Sequence, residues 1–126
     1  MSENLPLFID GEFTQSKSDT HLEVLNPASQ EILTKVPFAT EEESNRAIAS
    51  AEKTFHDWKD VPPPERSRLM IAYQNLLKKH HEDIAETLSK ENGKNFEDSK
   101  GDVWRGIEVV EQASNIAPLL MGETVG

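Results

Sequence analysis

The hydrophobic period of this chain changes once, at Thr40, and the change limits the folds open to it. Before Thr40 apolar residues come in short alternating runs; after it they return every three to four residues. Leu7-Phe8-Ile9 leads into Asp10-Gly11 and out through Glu12-Phe13-Thr14, and Asp-Gly between two such runs suits a tight hairpin because that turn needs positive φ at both central residues. His21-Leu22-Glu23-Val24-Leu25 alternates as far as Asn26-Pro27, where the proline removes a ladder donor. A third run, Glu31-Ile32-Leu33-Thr34-Lys35-Val36, closes at Pro37. The spacing predicts a small antiparallel strand meander over residues 1–39.

From Thr40 onward the pattern is helical. Thr40 with Glu43 three residues on fits a capping box, and Glu41, Glu42 and Glu43 favour the positive end of a helix dipole. Ala47, Ile48, Ala51, Phe55 and Trp58 fall on one stripe, read as core, in a helix that stops near Asp60. Pro62-Pro63-Pro64 turns the chain. The next helix carries Leu69, Tyr73, Leu76, Leu77, Ile84 and Leu88 along one side, with a break expected across Lys78–Asp83, where no apolar residue anchors the turn. Gly93 suits the left-handed position that closes it. A last helix starts after Asn95, buries Val103, Ile107, Val110, Ser114 and Ala117, and is bent or ended by Pro118. The fold class expected is α+β, a strand meander followed by about four helices over residues 40–126.

Composition then narrows the function. The chain has 126 residues, with 23 acidic against 13 basic side chains and a formal net charge of −10. Such a surface repels phosphate, so neither nucleic acid nor an anionic membrane is expected as a partner. Cysteine is absent, which removes disulfides, thiolate metal sites and a catalytic thiol from these residues. No apolar run approaches the ~20 residues of a membrane span. The opening residues resemble neither a secretory signal nor a transit peptide, so the cytoplasm is the expected location. For 14.2 kDa, size scaling leaves about 6,800 Å² exposed of roughly 20,600 Å² in the extended chain, enough for one core. The last residues, from Leu119 to Gly126, carry no capping element or polar tail and look cut rather than finished.

Few groups suggest chemistry. The six glycines are not spaced to cradle a phosphate, so no cofactor-binding residue is assigned. His80 and His81 are neighbours, about 100° apart on a helix, whereas helical zinc ligands sit at i and i+4; they are read as surface residues, and no metal ligand is assigned. No catalytic residue is assigned either. The exception is Gly101-Asp102-Val103-Trp104-Arg105-Gly106, where two glycines interrupt a helix at about 1 kcal/mol each relative to alanine. Close approach of a neighbouring backbone would compensate. Arg105 between them has two readings: a grip on a carboxylate through two parallel hydrogen bonds, or an ion pair with Asp102 or Glu108 on an exposed face.

Phe8-Ile9-Asp10-Gly11-Glu12-Phe13, Asn26-Pro27-Ala28, the stretch from Ala47 to Phe55 and Trp58, the trio Pro64, Arg66 and Met70, and Glu91-Asn92-Gly93-Lys94 follow one another in an order that resembles the beginning of an aldehyde dehydrogenase. The resemblance runs from Leu7 to Gly126. Gly101-Asp102-Val103-Trp104-Arg105-Gly106, with Val109-Val110-Glu111 and Met121-Gly122-Glu123-Thr124, is similar more narrowly to the CoA-acylating methylmalonate-semialdehyde dehydrogenases. The resemblance implies a Rossmann-like α/β parent with cofactor and catalytic domains and an oligomerisation flap, hence a homo-oligomer. Residues 40–126 would be the helical part of its N-terminal cofactor-domain region, with the catalytic domain absent. It also implies a cysteine that attacks the aldehyde, hydride transfer to NAD, and transfer of the acyl group to CoA after loss of carbon dioxide. NAD and CoA would be bound by the complete enzyme and not by this segment alone. Arg105 matches the family's arginine for the carboxylate of malonate or methylmalonate semialdehyde, and would be idle in the isolated segment. Two other readings stay open: an aldehyde dehydrogenase that hydrolyses its thioester with water, and a non-catalytic acidic helical interaction module.

Overall fold

The computed structural model describes residues 4–123. Residues 1–3 and 124–126, on which the expectations for the opening and closing residues partly fall, lie outside the described residues. Four strands come first: β1 (Leu7–Ile9), β2 (Glu12–Thr14), β3 (His21–Leu25) and β4 (Ile32–Pro37). Five helices follow: α1 (Glu41–Trp58), α2 (Pro63–Lys79), α3 (His81–Asn92), α4 (Phe96–Ser114) and the single turn α5 (Ile116–Leu119). By packing the described residues divide into two units. One runs to Asp60 and takes in Glu91–Gly93; the other holds Val61–Lys90 and resumes at Lys94.

In the first unit the antiparallel strands form two separate hairpins rather than one continuous sheet. β1 and β2 pair Leu7 with Thr14, Phe8 with Phe13 and Ile9 with Glu12. Asp10 and Gly11 take φ of 57° and 79°, the tight turn that their chemistry favours. The alternation sends Phe8 and Phe13 to the exposed side, ring centroids 4.9 Å apart. β1 contacts α1, where the Ser50 hydroxyl donates to Asp10 Oδ1 at 2.9 Å. In the second hairpin Lys35 faces Glu23 across the ladder at 3.3 Å, and a bulge falls between Val24 and Leu25. Asn26 Oδ1 then caps the turn by accepting from the backbone N–H of Ala28 and Ser29.

The capping box at Thr40 forms and reaches further than its own helix. Glu43 N–H donates to Thr40 Oγ1, and the Glu43 carboxylate accepts from the Thr40 and Lys17 N–H and from the Ser16 hydroxyl, each at 2.8 Å. The residues between β2 and β3 are thereby tied to the start of α1. Gly93 closes α3 at φ +74°, and a Cβ there would stand 2.7 Å from Pro27 Cγ. Side chain and left-handed backbone both exclude other residues at that position.

In the second unit α2 and α4 pack together, and α5 adds to both. α4 is as expected: Asn95 caps it by accepting from Asp98 N–H, and Val103, Ile107, Val110, Ser114 and then Ala117 turn inward, with Ile107 1% exposed. The helical segment before it breaks at His80, as the lack of an apolar anchor implies. α2 departs from expectation, because Leu69, Tyr73 and Leu76 are exposed and its inward stripe is Ser67, Met70, Gln74 and Leu77. Both stripes have helical period, and the buried one carries a glutamine whose amide N–H donates to the Glu111 carboxylate. α1 is corrected too. Its stripe has the right period, but Ile48, Ala51, Phe55 and Trp58 are all exposed.

These open faces explain the accessible surface. The chain exposes 9720 Å², well over the size-scaling value of about 6,800 Å² and over the roughly 8,200 Å² of two independent halves of its mass. Among the described residues, Ala85, Ile107 and Pro37 are the buried apolar side chains. No helix among them is long and apolar enough to cross a membrane.

Candidate functional site

α4 sets the geometry around Arg105. Its N-terminal turn is fixed by the Asn95 cap and by Ser99, whose hydroxyl donates to Asn95 C=O at 3.1 Å. With Ser99, Val103 and Ile107 turned inward, Gly101 and Arg105 fall on the opposite, exposed side. The Arg105 side chain is 80% exposed, and its Nη1 donates to Asp102 Oδ1 at 3.2 Å. The other oxygen of Asp102 accepts from the Lys94 ammonium. Lys94 is itself positioned by Ser89, whose hydroxyl donates to Lys94 C=O at 2.6 Å.

The electrostatics follow from this row of three. Lys94's hydrogen bond and charge, with Arg105's charge behind it, hold the Asp102 carboxyl below its ordinary pKa against partial desolvation, so it stays ionised. Two cations and one carboxylate leave a surplus of one positive charge. A guanidinium has five N–H donors, and one of Arg105's is engaged with Asp102 among the described residues. The side chain's 80% exposure leaves the rest accessible among the described residues. The ion pair with Asp102 is therefore present, while Glu108 forms none with Arg105 among the described residues. A pair this exposed contributes little to stability and leaves the arginine able to take a second anion.

The glycines beside it do not meet a neighbouring backbone. A Cβ built at Gly101 or Gly106 has no neighbour within 4 Å beyond its own helix, so the close approach expected from sequence is not made by the described residues. Both positions are exposed on α4.

Other candidates resolve into structural partners. His80 Nδ1 lies 3.1 Å from Asp83 Oδ2, whereas His81 Nε2 donates to Lys100 C=O at 2.8 Å and sets its ring edge-on to Trp104. The two histidines thus serve different partners. Among the described residues no group of three His, Asp or Glu side chains is placed to hold a metal. Sequence reasoning overlooked Lys94 as a partner of Asp102, although the signal was available in Glu91-Asn92-Gly93-Lys94 directly before the Asn95 cap.

The order of hairpins and helices is one that known proteins share. Residues 13–126 match the model of the aldehyde dehydrogenase family, and the chain belongs to that family of oxidoreductases. It is 44% identical over 118 residues to Malonate-semialdehyde dehydrogenase 1 of Geobacillus kaustophilus, covering 94% of this chain and 24% of that protein. It is 42% identical over 119 residues to the human methylmalonate-semialdehyde/malonate-semialdehyde dehydrogenase [acylating], mitochondrial, covering 94% and 22%. Among solved structures, one from Sinorhizobium meliloti assigned as a methylmalonate-semialdehyde dehydrogenase, complexed with NAD, superposes with a TM-score of 0.89 at 34% identity, over 94% of this chain and 24% of that one. The chain spans about a quarter of the length of the relatives it matches.

Proposed function

We propose that this chain is the N-terminal portion of an NAD-dependent, CoA-acylating dehydrogenase of malonate or methylmalonate semialdehyde, and that Arg105 holds the carboxylate of the substrate. One observation carries the reading. On its exposed side α4 presents a guanidinium with donors to spare, in a cluster of surplus positive charge, within a chain whose relatives are named for aldehydes that bear a carboxylate. A substrate charge drawn out of water needs a fixed and always-charged partner, and a guanidinium matches a carboxylate in two parallel hydrogen bonds. The 80% exposure of Arg105 leaves room for both the substrate and the walls that exclude water.

In this reading residues 1–39 are the strand segment, residues 40–126 the helical part of the cofactor-domain region, and the catalytic domain lies outside these residues. When bound, NAD supplies the hydride acceptor and CoA the acyl acceptor. This chain has no cysteine, and none of its residues is assigned to either cofactor. Its own contribution is to bind and orient the charged end of the substrate. A cytoplasmic homo-oligomer, with no part for nucleic acid or membrane, completes the proposal.

The test follows the products. The complete polypeptide carrying these residues is expected to convert malonate semialdehyde, NAD and CoA to acetyl-CoA, carbon dioxide and one NADH per thioester, or the methyl homologue to propionyl-CoA. The 126 residues alone are expected to form none. Thioester made by the 126 residues alone would overturn the reading; free acid in place of thioester from the complete polypeptide would shift it to a hydrolytic aldehyde dehydrogenase.

A further inference from the structure

The proposed carboxylate site contains its own competitor. Asp102 lies one helical turn before Arg105 and already accepts from its Nη1, so the same carboxylate that steadies the arginine rivals a substrate carboxylate for its donors. An unopposed aspartate at this spacing would draw the guanidinium down against the helix and repel an incoming anion. Asp102 is not unopposed. Its second oxygen is held by Lys94, eight residues earlier, whose backbone is fixed between the left-handed Gly93 and the Asn95 cap and whose carbonyl accepts from Ser89. The two ends of the bridge are 39% and 33% exposed, against 80% for Arg105. The Lys94–Asp102 pair is thus the better shielded of the two contacts and Arg105–Asp102 the weaker.

We propose that Lys94 is a positioning residue for substrate recognition: by occupying one oxygen of Asp102 and neutralising its charge, it keeps Asp102 to a single bond with Arg105 and leaves the arginine's remaining donors to the semialdehyde carboxylate. The proposal rests on the reading of Arg105 given above. Lys94 touches neither the substrate nor the reacting atoms and acts through Asp102.

The experiment measures KM for malonate semialdehyde and for uncharged propanal in the complete polypeptide carrying these residues. Lys94→Met is expected to raise KM for the charged substrate by about fivefold or more relative to propanal. Lys94→Arg is expected to leave that ratio within about twofold, since it keeps the charge and the reach. Asp102→Asn placed in the Lys94→Met background is expected to restore it, because the competing charge is then gone. Equal changes in both KM values, which any loss of fold would give, would overturn the proposal, as would a ratio that Asp102→Asn does not restore. Arg105→Ala tells the two levels apart. A ratio that moves with Arg105→Ala but not with Lys94→Met removes Lys94 and leaves the carboxylate site standing, whereas a ratio unmoved by Arg105→Ala removes both.

Discussion

Glu43 is 7% exposed, and its carboxylate takes up the backbone N–H of Lys17 first and of Thr40 next, which with the Ser16 and Thr40 hydroxyls holds its pKa at about 2 in place of 4.5. A folded-state pKa below the unfolded one adds stability that is complete above the unfolded value and disappears as pH falls through the folded one. The window is therefore from about 4.5 down to about 2. Amide exchange at Lys17 and Thr40, corrected for intrinsic rates, is expected to accelerate across that window, and Glu43→Gln is expected to remove the dependence. Identical acid profiles for the two proteins would contradict it. Half of this arrangement was legible in the sequence, since Thr40 and Glu43 stand at capping-box spacing. The other half was not, because Ser16 and Lys17 lie 27 and 26 residues away and no local rule links them. Gly93 divides the same way: its left-handed backbone could be read from its place at a helix end, and its contact with Pro27 could not.

At the scale of elements, boundaries were legible and faces were not. The hairpin turn at Asp10-Gly11, the caps at Thr40 and Asn95 and the break at His80 depend on residues within a turn of each other, and each forms where its chemistry allows. Which stripe of a helix is buried depends on what lies opposite. α4 carries one apolar stripe and buries it. α2 buries the mixed stripe containing Gln74 and leaves Leu69, Tyr73 and Leu76 exposed, and Glu111 on α4 supplies the partner that the buried amide requires. α1 leaves Ile48, Ala51 and Phe55 of its apolar stripe exposed among the described residues. The helix glycines give a direct test of this distinction. With open space around both, Gly101→Ala and Gly106→Ala are each expected to raise the stability of this chain by about 0.5–1 kcal/mol in urea denaturation, through helix propensity alone. Destabilisation by either would show that a backbone does approach the helix there.

For the whole molecule the governing fact is a total accessible surface of 9720 Å², well above the size-scaling value of about 6,800 Å² for a domain of this mass. That excess accords with the chain's spanning about a quarter of its relatives' length, and it explains why the element order of the family was readable from local marks while the core was not. Arg105 stands at the same limit. Its residue type and glycine neighbours could be read in the sequence, as could its i−3 partner, but a ligand for it lies outside anything a helix dictates. The central claim is that this arginine recognises the negative end of the substrate, and the measurement that bears on it most directly is kcat/KM of Arg105→Ala in the complete polypeptide for malonate semialdehyde against propanal. Loss of a charge-assisted pair of about 1.5–3 kcal/mol predicts a fall of roughly 10- to 150-fold for the semialdehyde with propanal nearly unchanged. An equal fall for both, or none for either, would contradict the account.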